Sequence, residues 1–287
     1  MKWNRGPRSE NLEDMRGATG GRGFGGGGGA RLGLGGMVVL LILSLVFKKD
    51  FFSLVGGGGA PTADQTSGPV QSTPQEEEQV DFVSAVLDST QRFWAQELPR
   101  QGAQYRTADL VLFRDAVQSA CGNAEAATGP FYCPGDQKVY IDLGFYAELK
   151  QRFGAPGDFA QAYVLAHEIG HHVQNLLGIE QQMRQAQQRR PDQANDLSVR
   201  MELQADCFAG IWAHSYNAMG GLEAGDVEEG LGAAASVGDD RIQRMGGGRV
   251  NPDAFTHGSS AQRQKWFNQG YTSGNLKSCD TFSAGIP

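Results

Sequence analysis

Histidine is scarce in this chain: there are five in 287 residues, His167, His171, His172, His214 and His257. Cysteine is scarcer still, with four, and no apolar run reaches the ~20 residues that a membrane-spanning helix prefers. Positive charge is not in excess, since the formal net charge is −7, and that argues against a nucleic-acid partner. Glycine is plentiful at 41 but clusters at Gly20 to Gly36 and Gly56 to Gly59. No strand pattern precedes these runs and no Gly-Lys-Ser/Thr follows them, which excludes a phosphate cradle and leaves flexible linkers.

Between the glycine runs lies an uncharged apolar stretch from about Leu32 to Phe47. It reads as a membrane anchor despite its length, because Lys48 and Lys49 can snorkel and Phe51 and Phe52 can sit at the interface. A cleaved signal peptide is the alternative, opposed by a long preceding region and by the lack of a small-x-small site. Lys2, Arg5, Arg8, Arg16, Arg22 and Arg31 against Glu10, Glu13 and Asp14 give the first segment a net +3 and leave −10 for the rest. That asymmetry favours a cytoplasmic N-terminus, with Lys48 and Lys49 pulling the other way. The expected organisation is a disordered cytoplasmic Gly/Arg-rich tail over 1–31, a transmembrane anchor and interface over 32–55, a flexible linker over 56–75, and one folded domain over 76–287.

Three of the five histidines crowd into one segment, His167-Glu168-Ile169-Gly170-His171-His172. Phe159, Tyr163, Ala166, Gly170, Val173 and Leu177 recur around it at helical spacing, and Gly178 stands where a C-cap is expected. On a helix, residues four apart share a face, so His167 and His171 can reach one metal ion while Glu168 leans toward a water on it. A chance spacing on a solvated face would not draw three scarce residues together. His172, roughly 100° around the helix from His171, and His214 read as packed or solvated side chains.

Catalytic zinc takes three protein ligands and keeps a fourth position open. Downstream, Glu202 and Asp206 stand four apart in an amphipathic run, which makes Glu202 the candidate third ligand. Asp206 is then an acceptor for the far ring nitrogen of a zinc histidine. Such a pair alone is usually surface charge; its place after the histidine helix gives it meaning. Glu180 is the poorer choice, since it falls just past the helix end. Cys121 with Cys133 could clip a turn-rich loop and Cys207 with Cys279 could tie down the C-terminal tail, an arrangement suited to an oxidising compartment. Four free thiols, or Cys207 as a zinc thiolate, remain the alternatives.

Met1-Lys2-Trp3, Ser9 to Asp14, Gly129 to Pro134 leading into Val139 to Leu143, the histidine helix, Glu202 to Asp206, and His257 to Arg263 together resemble the "putative neutral zinc metallopeptidase" family of bacterial envelope proteins, among the gluzincins. The likeness spans nearly the whole chain. It implies a compact zinc-dependent peptidase fold with a glutamate as third ligand; with the anchor and charge asymmetry above, the expected place is the bacterial cell membrane, single-pass, with the catalytic domain outside the cytoplasm. It supplies no substrate beyond the class of proteins and peptides.

Zn2+ held by His167, His171 and Glu202 would activate a water, and Glu168 would move its proton to the leaving amine. His257 is the candidate donor to the developing oxyanion, with Tyr140 as the alternative. A non-catalytic zinc-binding adaptor, a tethered structural protein, and a hydrolase of a cell-wall amide are the competing readings.

The fold class expected is α+β, mainly helical, with a small antiparallel sheet. Helices are predicted from Glu76 to Pro99 and at about 146–152, 158–177, 197–217, 227–237 and 260–271, the last opened by a Ser259/Gln262 capping box. Strands are predicted at Asp109 to Phe113 and as a hairpin of Phe131 to Cys133 with Val139 to Ile141. Val139 to Asp142 is either a core strand or the edge along which a substrate adds as a strand. The glutamine-rich stretch from Ile179 to Asp196 is either a helix or a mobile lid.

Overall fold

The computed structural model describes residues 1–18 and 70–283. The expected anchor over 32–55 lies outside the described residues, and among those described no helix is long and apolar enough to cross a membrane. Helix α1, Pro74–Arg100, begins where Thr73 caps it by accepting from the Glu76 amide, with proline in its first turn. It buries Val80, Val83, Leu87, Trp94 and Leu98 along one face. Pro99 sits in its last turn, where it loses little hydrogen bonding.

The main sheet has four strands in the order β1 (Leu12–Asp14), β2 (Asp109–Phe113), β6 (Lys138–Asp142) and β5 (Phe131–Cys133). The expectation of an antiparallel sheet is corrected here: β1 pairs with β2 and β2 with β6 in parallel, and only β5 with β6 is antiparallel. A separate antiparallel hairpin, β3 (Ala116–Ser119) with β4 (Gly122–Glu125), covers one face. Strand alternation sends Leu110, Leu112, Val139 and Ile141 into the main helical core and Val111, Phe113 and Tyr140 into a small second core with Val117 and Ala124. Strand β6 is interior, so Val139 to Asp142 is not an edge; on that side the edge is β5.

The tail expected to be disordered over 1–31 is, over residues 1–18, part of the domain. Its β1 extends the sheet, Ser9 donates from its amide to Ser84, and Arg16 is buried against Asp14, Glu76 and Glu77. Met1 places its ammonium among Asp158, Glu223 and Asp226. A single bilayer crossing between residues 18 and 70 would pull β1 away from β2.

The remaining helices are α2 (Gly144–Gln151), α3 (Asp158–Leu176), α4 (Ile179–Arg189), α5 (Ala194–Ala218), α6 (Asp226–Ser236), α7 (Asp239–Met245) and α8 (Ser260–Ser273). The glutamine-rich stretch is helical as α4, after Gly178 in the left-handed conformation at φ 72°. The capping box of α8 is present. Helices α3, α5 and α8 form the centre, and glycine lets their backbones touch. A Cβ on Gly170 would lie 3.0 Å from the Ala205 carbonyl oxygen, and one on Gly270 would lie 2.0 Å from that of Cys207. Disulfides join Cys121 to Cys133 and Cys207 to Cys279, which leaves no thiolate at Cys207 for a metal.

Candidate metal centre

Helix α3 projects His167 and His171 from one face, with ring centroids 4.8 Å apart and nearly perpendicular planes. The close approach at Gly170 brings α5 against that face, so that Glu202 reaches both rings: Oε2 lies 3.2 Å from His167 Nε2 and Oε1 lies 3.5 Å from His171 Nε2. The ligand atoms of these three residues all fall within 4.8 Å of one another. Tetrahedral ligands at zinc distances of ~2.0–2.1 Å stand roughly 3.3 Å apart, so the set fits zinc in spacing as well as in donor type.

The far nitrogen of each ring is engaged. His167 Nδ1 lies 2.8 Å from Asp206 Oδ1, and His171 Nδ1 lies 2.8 Å from Gln174 Oε1. With acceptors on both Nδ1 atoms, the Nε2 lone pairs point into the centre. Asp206 has no exposed surface; Arg263 and the Tyr163 hydroxyl also donate to it.

Burial opposes a charge on each of these groups, and mutual pairing overcomes it. In the metal-free chain, burial pulls the His167 imidazolium down, but Asp206 and Glu202 hold it up at about 9. Burial likewise disfavours the Glu202 carboxylate, yet His171 and His167 hold its pKa well below the usual range. Burial also opposes the Asp206 carboxylate, and Arg263 and His167 lower its pKa overall. The centre is thus a charged cluster poised to exchange protons for a cation.

Glu168 is buried at 7% exposure beside this cluster, and no hydrogen bond from a described residue occupies its carboxylate. Tyr146 presents a buried hydroxyl without a hydrogen-bond partner among the described residues, and burial together with the Glu168 charge pushes its pKa up. His257 is half-exposed on the loop before α8; its Nδ1 lies 3.1 Å from Asp239 Oδ1. Asp239 also accepts the Thr256, His257 and Gly258 amides, which fixes the loop. Burial lowers the His257 pKa, but Asp239 and the nearby Glu202 raise it overall.

Tyr140 is not in this site. It lies on the opposite face of the sheet, donating to Asp136 and stacked on Phe131, because strand alternation turns it away from α3. His172 is buried against Tyr132 and the Arg106 carbonyl, and His214 contacts the Tyr271 carbonyl. Glu180 pairs with Arg184. A second acidic group, Asp158, Asp226 and Glu229, surrounds the Met1 ammonium. Sequence reasoning missed Tyr163, Gln174, Asp239 and Arg263 as supports of the site. The signal was present for two of them, since Tyr163 precedes His167 by four residues and Gln174 follows His171 by three.

Uncharacterized protein YpfJ of Escherichia coli K12 is 47% identical over 291 residues, covering all of both chains. Uncharacterized protein Rv2575 of Mycobacterium tuberculosis and uncharacterized protein Mb2605 of Mycobacterium bovis are each 45% identical over 213 residues, 70% of each chain. No solved structure is significantly similar. A family model described as "Putative neutral zinc metallopeptidase" matches residues 1–282, and the chain, with its two histidines and glutamate converging on one point, belongs to that family.

Proposed function

We propose that the domain hydrolyses peptide bonds with zinc held by His167, His171 and Glu202. The observation that carries this reading is Glu168, a buried carboxylate beside the ligand set with no hydrogen bond from a described residue to occupy it. A zinc ion in that position supplies Lewis acidity, making a water molecule acidic near pH ~7 and polarising a carbonyl. Glu168 takes the proton of the attacking water at its carboxylate and delivers it to the departing amine. His257, oriented through Nδ1 by Asp239, offers its other ring nitrogen as a donor to the developing oxyanion.

Strand β5, packed by Tyr132 against His172 and Asn175 of α3, is the sheet edge beside the site. A substrate backbone adds there as a strand. The two disulfides favour action in an oxidising compartment of the bacterial envelope. Attachment to the cell membrane through 32–47 then needs residues 1–18 and 70–283 on the same side.

Incubating the zinc-loaded full chain with a peptide library and with a cell-wall preparation tests the substrate class. New peptide N-termini support the proposal, release of wall fragments alone shifts it to a cell-wall amide, and neither product contradicts hydrolysis.

A further inference from the structure

The two metal-facing histidines are held by unlike partners. His167 faces a carboxylate, whereas His171 faces Gln174, a neutral amide that could present either end. A single pass of hydrogen bonds settles which. Gln174 Nε2 donates to the Met201 carbonyl at 2.8 Å and to Gln204 Oε1 at 3.1 Å. Gln204 Nε2 in turn donates to the Cys279 carbonyl at 3.0 Å. Both glutamines are buried, and Cys279 is tied to α5 by its disulfide with Cys207.

A backbone carbonyl only accepts, so it fixes the polarity of any amide that meets it. The Cys279 carbonyl turns the Gln204 Nε2 toward itself and leaves Oε1 facing Gln174. The Met201 carbonyl and Gln204 Oε1 both accept from Gln174 Nε2, and together they leave Gln174 Oε1 for His171. His171 answers by donating from Nδ1, which leaves its Nε2 lone pair for a metal. Were Gln204 released from Cys279 and flipped, two amide nitrogens would face each other, and Gln174 would be held by the Met201 carbonyl alone against that repulsion.

We propose that Gln174 and Gln204 are positioning residues, through which the segment clipped by Cys207–Cys279 sets the tautomer and orientation of His171. This rests on the zinc-site reading above. The residues concerned are outside the ligand set, and nothing in the relay depends on their titration.

The test is zinc affinity by chelator competition on the full chain, with thermal melting in parallel. Gln174→Leu is expected to weaken zinc ~10–100-fold and Gln204→Leu about tenfold, the range for removing partners of a metal histidine. The double variant is expected to be no weaker than Gln174→Leu, because the second change acts only through the first. Cys207→Ser/Cys279→Ser is expected to lose the same factor as Gln204→Leu in wild type and nothing further in Gln204→Leu, while its melting temperature falls in both. A 15N spectrum of the zinc-loaded protein reads the His171 Nδ1–H directly, and that signal should broaden or vanish in Gln204→Leu. Unchanged affinity in Gln204→Leu, or effects of the two glutamines that multiply, would overturn the relay. If Gln174→Leu fails to fold, Gln204→Leu and the cysteine pair carry the test alone. A wild-type chain that takes up no zinc would instead overturn the zinc-site reading itself.

Discussion

Arg263 grips Asp206 with two hydrogen bonds, from Nε to Oδ2 and from Nη2 to Oδ1, each 2.9 Å long and buried between α8 and α5. The same carboxylate faces His167 Nδ1, so the guanidinium keeps charged the acceptor that orients a metal ligand. Arg263 Nη2 also lies 3.3 Å from His167 Nδ1 and 4.0 Å from Glu202 Oε2, so the ligand set is built on this pair.

Removing Arg263 leaves Asp206 as a buried charge short of its strongest partner. Arg263→Met is expected to cost ~3–5 kcal/mol in denaturant unfolding. Asp206→Asn keeps the shape but weakens the acceptor, and zinc affinity is expected to fall ~10–100-fold. A stable Arg263→Met protein with wild-type zinc affinity would show that the network is dispensable.

Helix packing gives a second expectation. The Gly270 backbone lies against α5 so closely that an added Cβ would sit 2.0 Å from the Cys207 carbonyl oxygen. Gly270→Ala must push α8 outward and is expected to cost at least ~1–3 kcal/mol. Because Arg263 moves with α8, zinc affinity should fall in parallel. An unchanged melting temperature would contradict the contact.

The docked N-terminal segment has a pH signature. Glu77 is held down at about 2, by Ser72 first and then by Arg8 and Arg16, against an ordinary 4.5. A carboxyl depressed in the folded state contributes stability that is present above its unfolded value and lost as pH falls through its folded one. Docking of residues 1–18 should therefore weaken from pH 4.5 toward 2, and weaken in salt, since Arg8 and Glu77 are each about a third exposed. With a protease site inserted between residues 18 and 70, the cut N-terminal piece should stay with the domain at pH 6 and leave as pH drops through that window. Separation at pH 6 would contradict the β1–β2 pairing and reopen a single membrane crossing.

What could be read from the sequence was what local spacing encodes. The helix bearing His167 and His171, the helix bearing Glu202 and Asp206, and the hairpin of β5 with β6 each have a periodic signal over adjacent residues. Strand β1 has none: Leu12–Asp14 is three residues long and acquires its meaning only by pairing with Leu110–Leu112, about a hundred positions away. The parallel register was hidden for the same reason, and with it the interior place of β6 and the turning away of Tyr140. Asp239 and Arg263 were similarly silent, because an orienting partner remote in sequence is defined by its distance to the site and not by a motif. Gly270 carries no pattern either, though the approach of α8 to α5 depends on it.

The central claim is that His167, His171 and Glu202 hold zinc for a reaction in which Glu168 moves the proton. The most direct measurement is zinc content and peptide cleavage of purified wild type beside Glu168→Gln. The account expects one zinc per chain in both proteins and cleavage lower in Glu168→Gln by ~10²–10⁴-fold, the range for losing a general base. Equal cleavage by the two proteins, or no zinc in either, would contradict it.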